Sequence, residues 1–441
     1  MADRASVATR PAPDGAGPTA ATDGAVKVVM FNVAYSPNLG DGVIADCLSH
    51  ALRTSFAGAI VTSVDLAGRT ERGAAGPAAR RLAQLALLQR MPRPVKDLVV
   101  ALSLGPRVVR TLRPAWRRAL DGADVAIIGG GQLFQDGDLN FPLKLTGAAA
   151  ECRRLGVPIA VFGVGAAPSR SPVGRALFRR LLRMPEIVHI AARDPQSQAE
   201  LGRLGGENVQ LCRDPALLAA EVWPAPPRRP RTRPRVGVGV THGALLRHHS
   251  DGGTVSPEET TDRYARVVAS LVEHGFDVVC FSNGAAEDAE ALAAVGEAIC
   301  RSDAAEHAVT APRRETPGEL ATLISGLDAV VSHRLHACIL AYAYRIPHIG
   351  FAWDPKVRHF FDLVERPAYC VPFDRDAPKT IAPRVVAALT EGIAADAHAR
   401  VLAETRTGLR ALRRAISDAM EAGSRRRMAA IGETEGASLC P

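Results

Sequence analysis

No run of residues in this chain approaches the roughly 20 consecutive apolar positions that a membrane-spanning helix needs. The first 24 residues lack the apolar core of a secretory signal, so they read as a disordered leader and the expected compartment is the cytoplasm. Metal-ligand spacing is missing as well. No C-x-x-C or Cys/His cluster occurs, and the closest two of the eight cysteines in sequence are Cys280 and Cys300. Most cysteines sit in apolar segments, as Cys280 and Cys338 do, and read as reduced core residues and not as a disulfide framework. Aromatics make up only 5% of the chain, and no basic motif interleaves with them, which argues against a nucleic-acid partner. Lysine is scarce: five of the 54 basic residues are lysines and the rest are arginines.

What is present is a long, ordinary globular composition. The 441 residues exceed one typical core, and 47% of them are hydrophobic. A net charge of +8 suits anionic partners such as phosphates, sugar acids or an acidic membrane surface. Short apolar runs alternate with helix-length segments, and each run is apolar on both faces, as in a parallel sheet covered by helices. The first series of strands is expected at 26–33, 59–64, 124–129, 158–163, 187–191 and 208–212. Prolines and arginines then break the pattern at 221–235, which reads as a linker. A second series follows at 235–240, 276–282, 308–311, 328–332 and 347–351. The expected fold class is therefore α/β, with two Rossmann-like domains facing across a cleft. The division runs 1–24 leader, 25–220 first domain with a helical insertion at 66–120, 221–235 linker, 236–396 second domain, and 397–441 C-terminal helix and tail, the tail fraying after Gly423. Within the insertion, 78–120 carries short amphipathic helices rich in arginine. They read as a helical layer on the first domain or as a basic, apolar surface for peripheral membrane contact.

Chemistry gathers at the strand ends. Asn38, Gly40 and Asp41 follow the first strand, where the amides of a starting helix suit an anion or a sugar hydroxyl. Asp41 is equally a natural N-cap. Gly129, Gly130 and Gly131 end the third strand and let the backbone approach a ligand, with Gln132 and Asp136 adding polar groups at the mouth. This is not a dinucleotide fingerprint, and a turn needed only for packing is the alternative. Arg193 follows the strand at 187–191, and its planar fork suits a phosphate or carboxylate. Arg193 and Asp194 also read as a surface ion pair of little consequence. Asp214, before Pro215, reads as a structural turn.

The strongest pattern lies at 328–356. A strand ends at Ser332, and Ser332 or His333 caps a helix that carries Arg334 and His336, whose N-terminus favours anions. A histidine, with a reference pKa of about 6.5, gives or takes a proton near neutral pH. The next strand leads into Trp353, Asp354 and Lys356 at the same sheet edge. Alone, His336 reads as a structural histidine and Lys356 as a solvated charge. Together with Arg334 they suit a small substrate with two anionic groups. His242, His248 and His249 fall in a polar loop that could line the same cleft.

In this order, N-x-G-D at 38–41, GGG-x-L-x-Q-D at 129–136, A-R-D-x-x-S at 192–197, S-x-R-L-H at 332–336 and D-P-K-V at 354–357 resemble the polysaccharide pyruvyl transferase family. The likeness spans about 26–388. It implies a glycosyltransferase-B-like fold and phosphoenolpyruvate as co-substrate, with no metal or organic cofactor required. It also implies His336 as catalytic acid/base and Arg334, Arg193 and Lys356 as donor-binding cations. Asn38, Asp41, Gly129, Gly130, Gly131, Gln132, Asp136 and Asp354 would then line the cleft on the acceptor side. The acceptor would be a sugar in a polysaccharide or its lipid-linked precursor, met in the cytoplasm or at the inner face of the membrane. Two other functions share this architecture: a nucleotide-sugar-dependent glycosyltransferase, and a non-enzymatic sugar- or phosphate-binding protein.

Overall fold

The computed structural model describes residues 25–72, 91–227, 230–249 and 256–437. Six strands build the first sheet: β1 (Lys27–Asn32), β2 (Ile60–Asp65), β3 (Val125–Phe134), β4 (Ile159–Ala166), β5 (Ile187–Ala192) and β6 (Gln210–Leu211). All pair in parallel, in the order β2-β1-β3-β4-β5-β6. The second sheet holds β7 (Arg235–Gly239), β8 (Asp277–Phe281), β9 (Ala308–Thr310), β10 (Ala329–Ser332), β11 (His348–Phe351) and β12 (Cys370–Val371), parallel in the order β12-β11-β10-β7-β8-β9. Helices flank both sheets. The expected pair of Rossmann-like α/β domains is what the chain forms. Strands such as β4 and β10 are buried along their whole length, which is why they read as unbroken apolar runs.

The strand order of each sheet reverses once: between β1 and β3 in the first domain, and between β7 and β10 in the second. Ligands of open α/β sheets bind at such points, outside the carboxyl ends of the strands. The two reversal points face each other here because the helix Leu39–Ser55, which follows β1, buries Leu39, Val43, Ile44 and Cys47 in the same apolar core as β7, β10 and the helix Leu335–Ala343. The domains therefore share a core across their seam.

Three local expectations need correction. β3 does not stop at 129; it continues through the three glycines to Phe134, with a register irregularity between Gly131 and Phe134. β12 was not foreseen; its two residues are followed at once by Pro372. The C-terminal helix Ala395–Ala437 runs straight past Gly423. Its Leu409, Leu412 and Ile416 pack on Val28, Met30 and Phe162 of the first domain, so the chain ends by crossing back. Within the insertion, the helices Arg93–Arg107 and Arg113–Ala119 are joined by a π-turn at Val108–Leu112. Val108, Leu112 and Trp116 face inward, Trp116 edge-on to Phe31, and Arg113 and Arg117 clamp the buried Glu151. The part of the insertion at 73–90, the leader at 1–24 and the last residues at 438–441 lie outside the described residues. No helix among the described residues is long and apolar enough to cross a membrane.

Candidate functional site

A cleft of about 430 Å³ opens between the two reversal points, lined from the first domain by Asn38, Asp41, Gly131, Gln132 and Arg193. The second domain contributes Asn283, Arg334, Leu335, His336, Trp353 and Lys356. Both Arg193 and Arg334 are held from behind by buried carboxylates.

Arg334 is itself the N-cap of the helix Leu335–Ala343, not Ser332 or His333. Ser332 Oγ accepts the Arg334 N–H (3.0 Å), while the Arg334 Nε and Nη2 both donate to Asp288 Oδ2 (2.9 and 2.6 Å). The Asp288 side chain is fully buried, and its other oxygen accepts the His242 N–H (3.0 Å). Burial pushes the Asp288 carboxyl up and the Arg334 guanidinium pulls it down, the net being upward. His242 reaches this carboxylate through its backbone, its Nδ1 accepts the Ala244 N–H (3.2 Å), and the residue lines a separate pocket with Thr241 and Tyr264. The side chains of His248 and His249 lie outside the description. His333 turns into the core, tilted against Phe351 and edge-on to Phe373, with the Tyr264 hydroxyl 2.6 Å from its Nδ1. Burial holds its imidazole well below the ordinary value, so it is neutral.

Arg193, far from being a surface residue, is 7% exposed. Its Nη1 faces Asp214 Oδ2 at 3.4 Å, and its Nε lies 3.8 Å from Asp194, which caps the helix Pro195–Arg203. A Cβ at Gly165 would stand 2.8 Å from the Arg193 guanidinium, so the glycine makes room for it.

His336 is 7% exposed, and its ring lies against the start of the helix Leu39–Ser55. Its Nε2 is 3.7 Å from Asp214 Oδ2, in ion-pair range but too far for a hydrogen bond, and it is buried without a hydrogen-bond partner. Asp214 does shape a turn, accepting the Ala216 N–H, but its second oxygen serves Arg193 and His336 together. Burial alone would raise the Asp214 carboxyl; His336 and Arg193 outweigh it and hold it below its ordinary value. Reading it as a structural turn alone was incomplete.

Lys356 pairs with Asp354 (Nζ to Oδ2, 2.9 Å) and lies 5.4 Å from the centroid of the Trp353 ring. Asp354 also caps the helix Pro355–Leu363 by accepting the Lys356 N–H. Desolvation lowers the Lys356 ammonium, Asp354 opposes, and Arg193 and Arg334 add to the lowering.

The glycines and Asp136 divide. Gly131, at φ +86°, lines the cleft 3.4 Å (from its would-be Cβ) from Asp41 Oδ1. Gly129 and Gly130 are packing positions: side chains there would strike the Phe162 carbonyl and Ile44. Asp136 is turned away from the cleft, buried and accepting the backbone N–H groups of Arg170 and Ser171 (2.8 and 2.7 Å). Asp288 and Asn283 had no legible signal and Asp214 showed only its turn, because each serves residues distant in sequence. Asp288 in particular sits inside an ordinary alanine-rich helix.

Chemically, the cleft offers three oriented cations, one histidine beside a carboxylate, and a helix N-terminus. This set suits a small, multiply anionic molecule and proton transfer to it. Among the described residues, no group of three or more His, Cys, Asp or Glu is arranged to hold a metal ion.

A family model described as polysaccharide pyruvyl transferase matches residues 38–355. No curated protein matches the chain significantly. Similar solved structures include E. coli ADP-heptose LPS heptosyltransferase II, 14% identical over 83% of this chain and 99% of that one, TM-score 0.42. Acinetobacter baumannii MurG is 13% identical over 89% and 99%, TM-score 0.43. S. aureus MnaA in complex with UDP is 8% identical over 86% and 95%, TM-score 0.48.

Proposed function

The chain belongs to the polysaccharide pyruvyl transferase family, and from that premise we propose that it moves the pyruvyl group of phosphoenolpyruvate onto two hydroxyls of one sugar. The products are a cyclic ketal and free phosphate. The observation that carries this reading is the convergence of Arg193, Arg334, Lys356 and His336, from both domains, on one cleft.

Arg334 and Arg193 take the donor's phosphate and carboxylate, each with its charge oriented by a carboxylate behind it. Lys356 adds a third cation. His336, with Asp214 beside it, gives a proton to the vinyl carbon, which becomes a methyl group and leaves an oxocarbenium-like centre next door. One sugar hydroxyl attacks that centre, phosphate leaves, and the second hydroxyl closes the ring. Two O–H bonds and the C–O bond to phosphate break, and two C–O bonds form at the same carbon. One hydroxyl proton is balanced by the new methyl group and the other departs with phosphate. The arginines stabilise charge that grows on the leaving group.

The acceptor belongs to a polysaccharide or its lipid-linked precursor. The outward face of the insertion supports contact with an acidic membrane: Val95, Leu98, Val99, Leu102 and Val109 are exposed at helical spacing. The same stretch, 91–120, contains seven basic residues and a single acidic one, Asp97.

The test is incubation with phosphoenolpyruvate and a panel of glycans, following both phosphate and a ketal mass gain on the glycan. The expected result is coupled appearance of both in the wild type and neither with His336→Ala. Transfer of a glycosyl group from a nucleotide sugar, or wild-type turnover by His336→Ala, would refute the reading.

A further inference from the structure

Two side chains in the cleft wall carry polar atoms that the protein leaves unpaired. Asn283, in the loop after β8, is 1% exposed, and neither its Oδ1 nor its Nδ2 has a hydrogen-bond partner. Asn38, across the seam in the first domain, has a buried Oδ1 in the same condition. An unmade buried hydrogen bond costs about 1–3 kcal/mol, so two carboxamides facing one cleft need a reason.

Local structure does not supply it. Asn38 stands at the N-cap of the helix Leu39–Ser55 in extended conformation, φ −77° and ψ 107°, yet its side chain makes no capping bond. Backbone groups serve those amides: Asp41 N–H goes to the Asn38 carbonyl, and Leu39 N–H crosses the seam to the Asn283 carbonyl (2.9 Å). The main chain of Asn283 therefore holds the domains together, and its side chain is left to the cleft. Asp41 lines the same wall.

The cleft is thus divided by chemistry. Arg193, Arg334 and Lys356 match charged groups, whereas Asn38 and Asn283 match neutral ones. We propose that Asn38, Asp41 and Asn283 form the acceptor subsite, and that its ligand is a pair of hydroxyls on one pyranose ring. The proposal rests on the pyruvyl-transfer reading above. A carboxamide presents a donor and an acceptor side by side, the complement of a diol in which one hydroxyl donates and its neighbour accepts. Ketal closure brings both oxygens to one carbon, so fixing the pair contributes to rate as well as to affinity. Asp41 accepts a hydroxyl proton as its oxygen bonds the donor carbon and passes it to the departing phosphate, ending the cycle unchanged.

The test separates donor from acceptor. Phosphoenolpyruvate binding is measured by calorimetry without acceptor, and phosphate release is measured with the methyl pyranosides of glucose, galactose and mannose and their N-acetylated counterparts. For Asn283→Ala, donor affinity stays within about threefold, while kcat/KM for the accepted pyranoside falls about 30-fold, equivalent to ~2 kcal/mol at 1.4 kcal/mol per tenfold. Asn38→Ala behaves alike with an unchanged melting temperature, because its side chain caps nothing. Unchanged acceptor kcat/KM in both variants, or a parallel loss of donor affinity, overturns the subsite. Donor binding by the wild type without phosphate release on any pyranoside overturns the ligand class. A wild type that does not bind phosphoenolpyruvate overturns the transfer reading itself.

Discussion

Replacing Gly40 with alanine adds one methyl group at the point where the two domains meet. Built on the existing backbone, that Cβ stands 2.6 Å from both Cβ and Cγ of His336 and closer still to Nδ1. Real Cβ atoms do not approach so near, so either the imidazole or the domain seam shifts. Two effects oppose each other in stability. Alanine is the better helix former by about 1 kcal/mol, and overpacking a close site costs about 1–3 kcal/mol. The net is a loss of no more than ~2 kcal/mol, which leaves the protein folded. Activity is far more sensitive, because a displacement of about 1 Å in a catalytic group costs on the order of 10²-fold. We therefore expect Gly40→Ala to lower kcat for phosphate release about 100-fold while the melting temperature falls by a few degrees. Gly137→Ala is the control, since a Cβ there meets nothing within 4 Å. A Gly40→Ala enzyme with kcat within threefold of wild type would show that the ring's position against the helix start does not matter to the chemistry.

Three further outcomes are expected. Arg334→Lys loses the paired contact to Asp288, and loss of one charge-assisted bond of about 1.5–3 kcal/mol raises KM for phosphoenolpyruvate by roughly 10- to 100-fold; steady-state kinetics check this. Asp214→Asn keeps a carboxamide oxygen for the Ala216 N–H but removes the negative charge. The wild-type carboxyl is held below its ordinary value, so its stabilisation is present at neutral pH and lost as pH falls through the folded value. The difference in urea midpoint between wild type and Asp214→Asn should therefore be largest near neutrality and close below about pH 4. On the insertion, Leu98→Glu combined with Leu102→Glu should abolish sedimentation with phosphatidylglycerol vesicles and leave kcat on a soluble acceptor unchanged; equal sedimentation of both proteins would exclude this face.

The sheets were readable because parallel strands covered on both faces demand unbroken apolar runs, and β1, β4 and β10 have them. β12 was missed because Pro372 cuts its run short, whereas the equally short edge strand β6 lies within the longer run at 208–212. Three glycines at 129–131 looked like the end of a strand. They are part of it, because the close approach of the Phe162 carbonyl and Ile44 leaves no room for side chains. Arg193, Arg334, His336 and Lys356 could be singled out because each follows a strand. Their partners could not: Asp288 belongs to a helix in another unit, and Asp214 looked complete as a turn. Asp136 stood in a recognisable motif and still points away, because a sequence reports a position along the chain and not which way a carboxylate turns.

Buried ion pairs are a weak source of stability, since desolvation offsets most of the attraction. Those behind this cleft are better understood by what they orient. Arg334 and Asp288 both belong to the second domain, and Arg193 and Asp214 both belong to the first, so each domain positions its own guanidinium. His336 is different. Its charged neighbour, Asp214, and the glycine it rests on, Gly40, both come from the opposite domain. The arginine sites can therefore exist in either half alone, whereas His336 acquires its surroundings only when the halves are docked. The shared core around Leu39, Val43 and Ile44 makes that docking part of the fold. Under the proposed reading, proton transfer from the histidine depends on the same docking that brings Arg193 and Arg334 to one cleft.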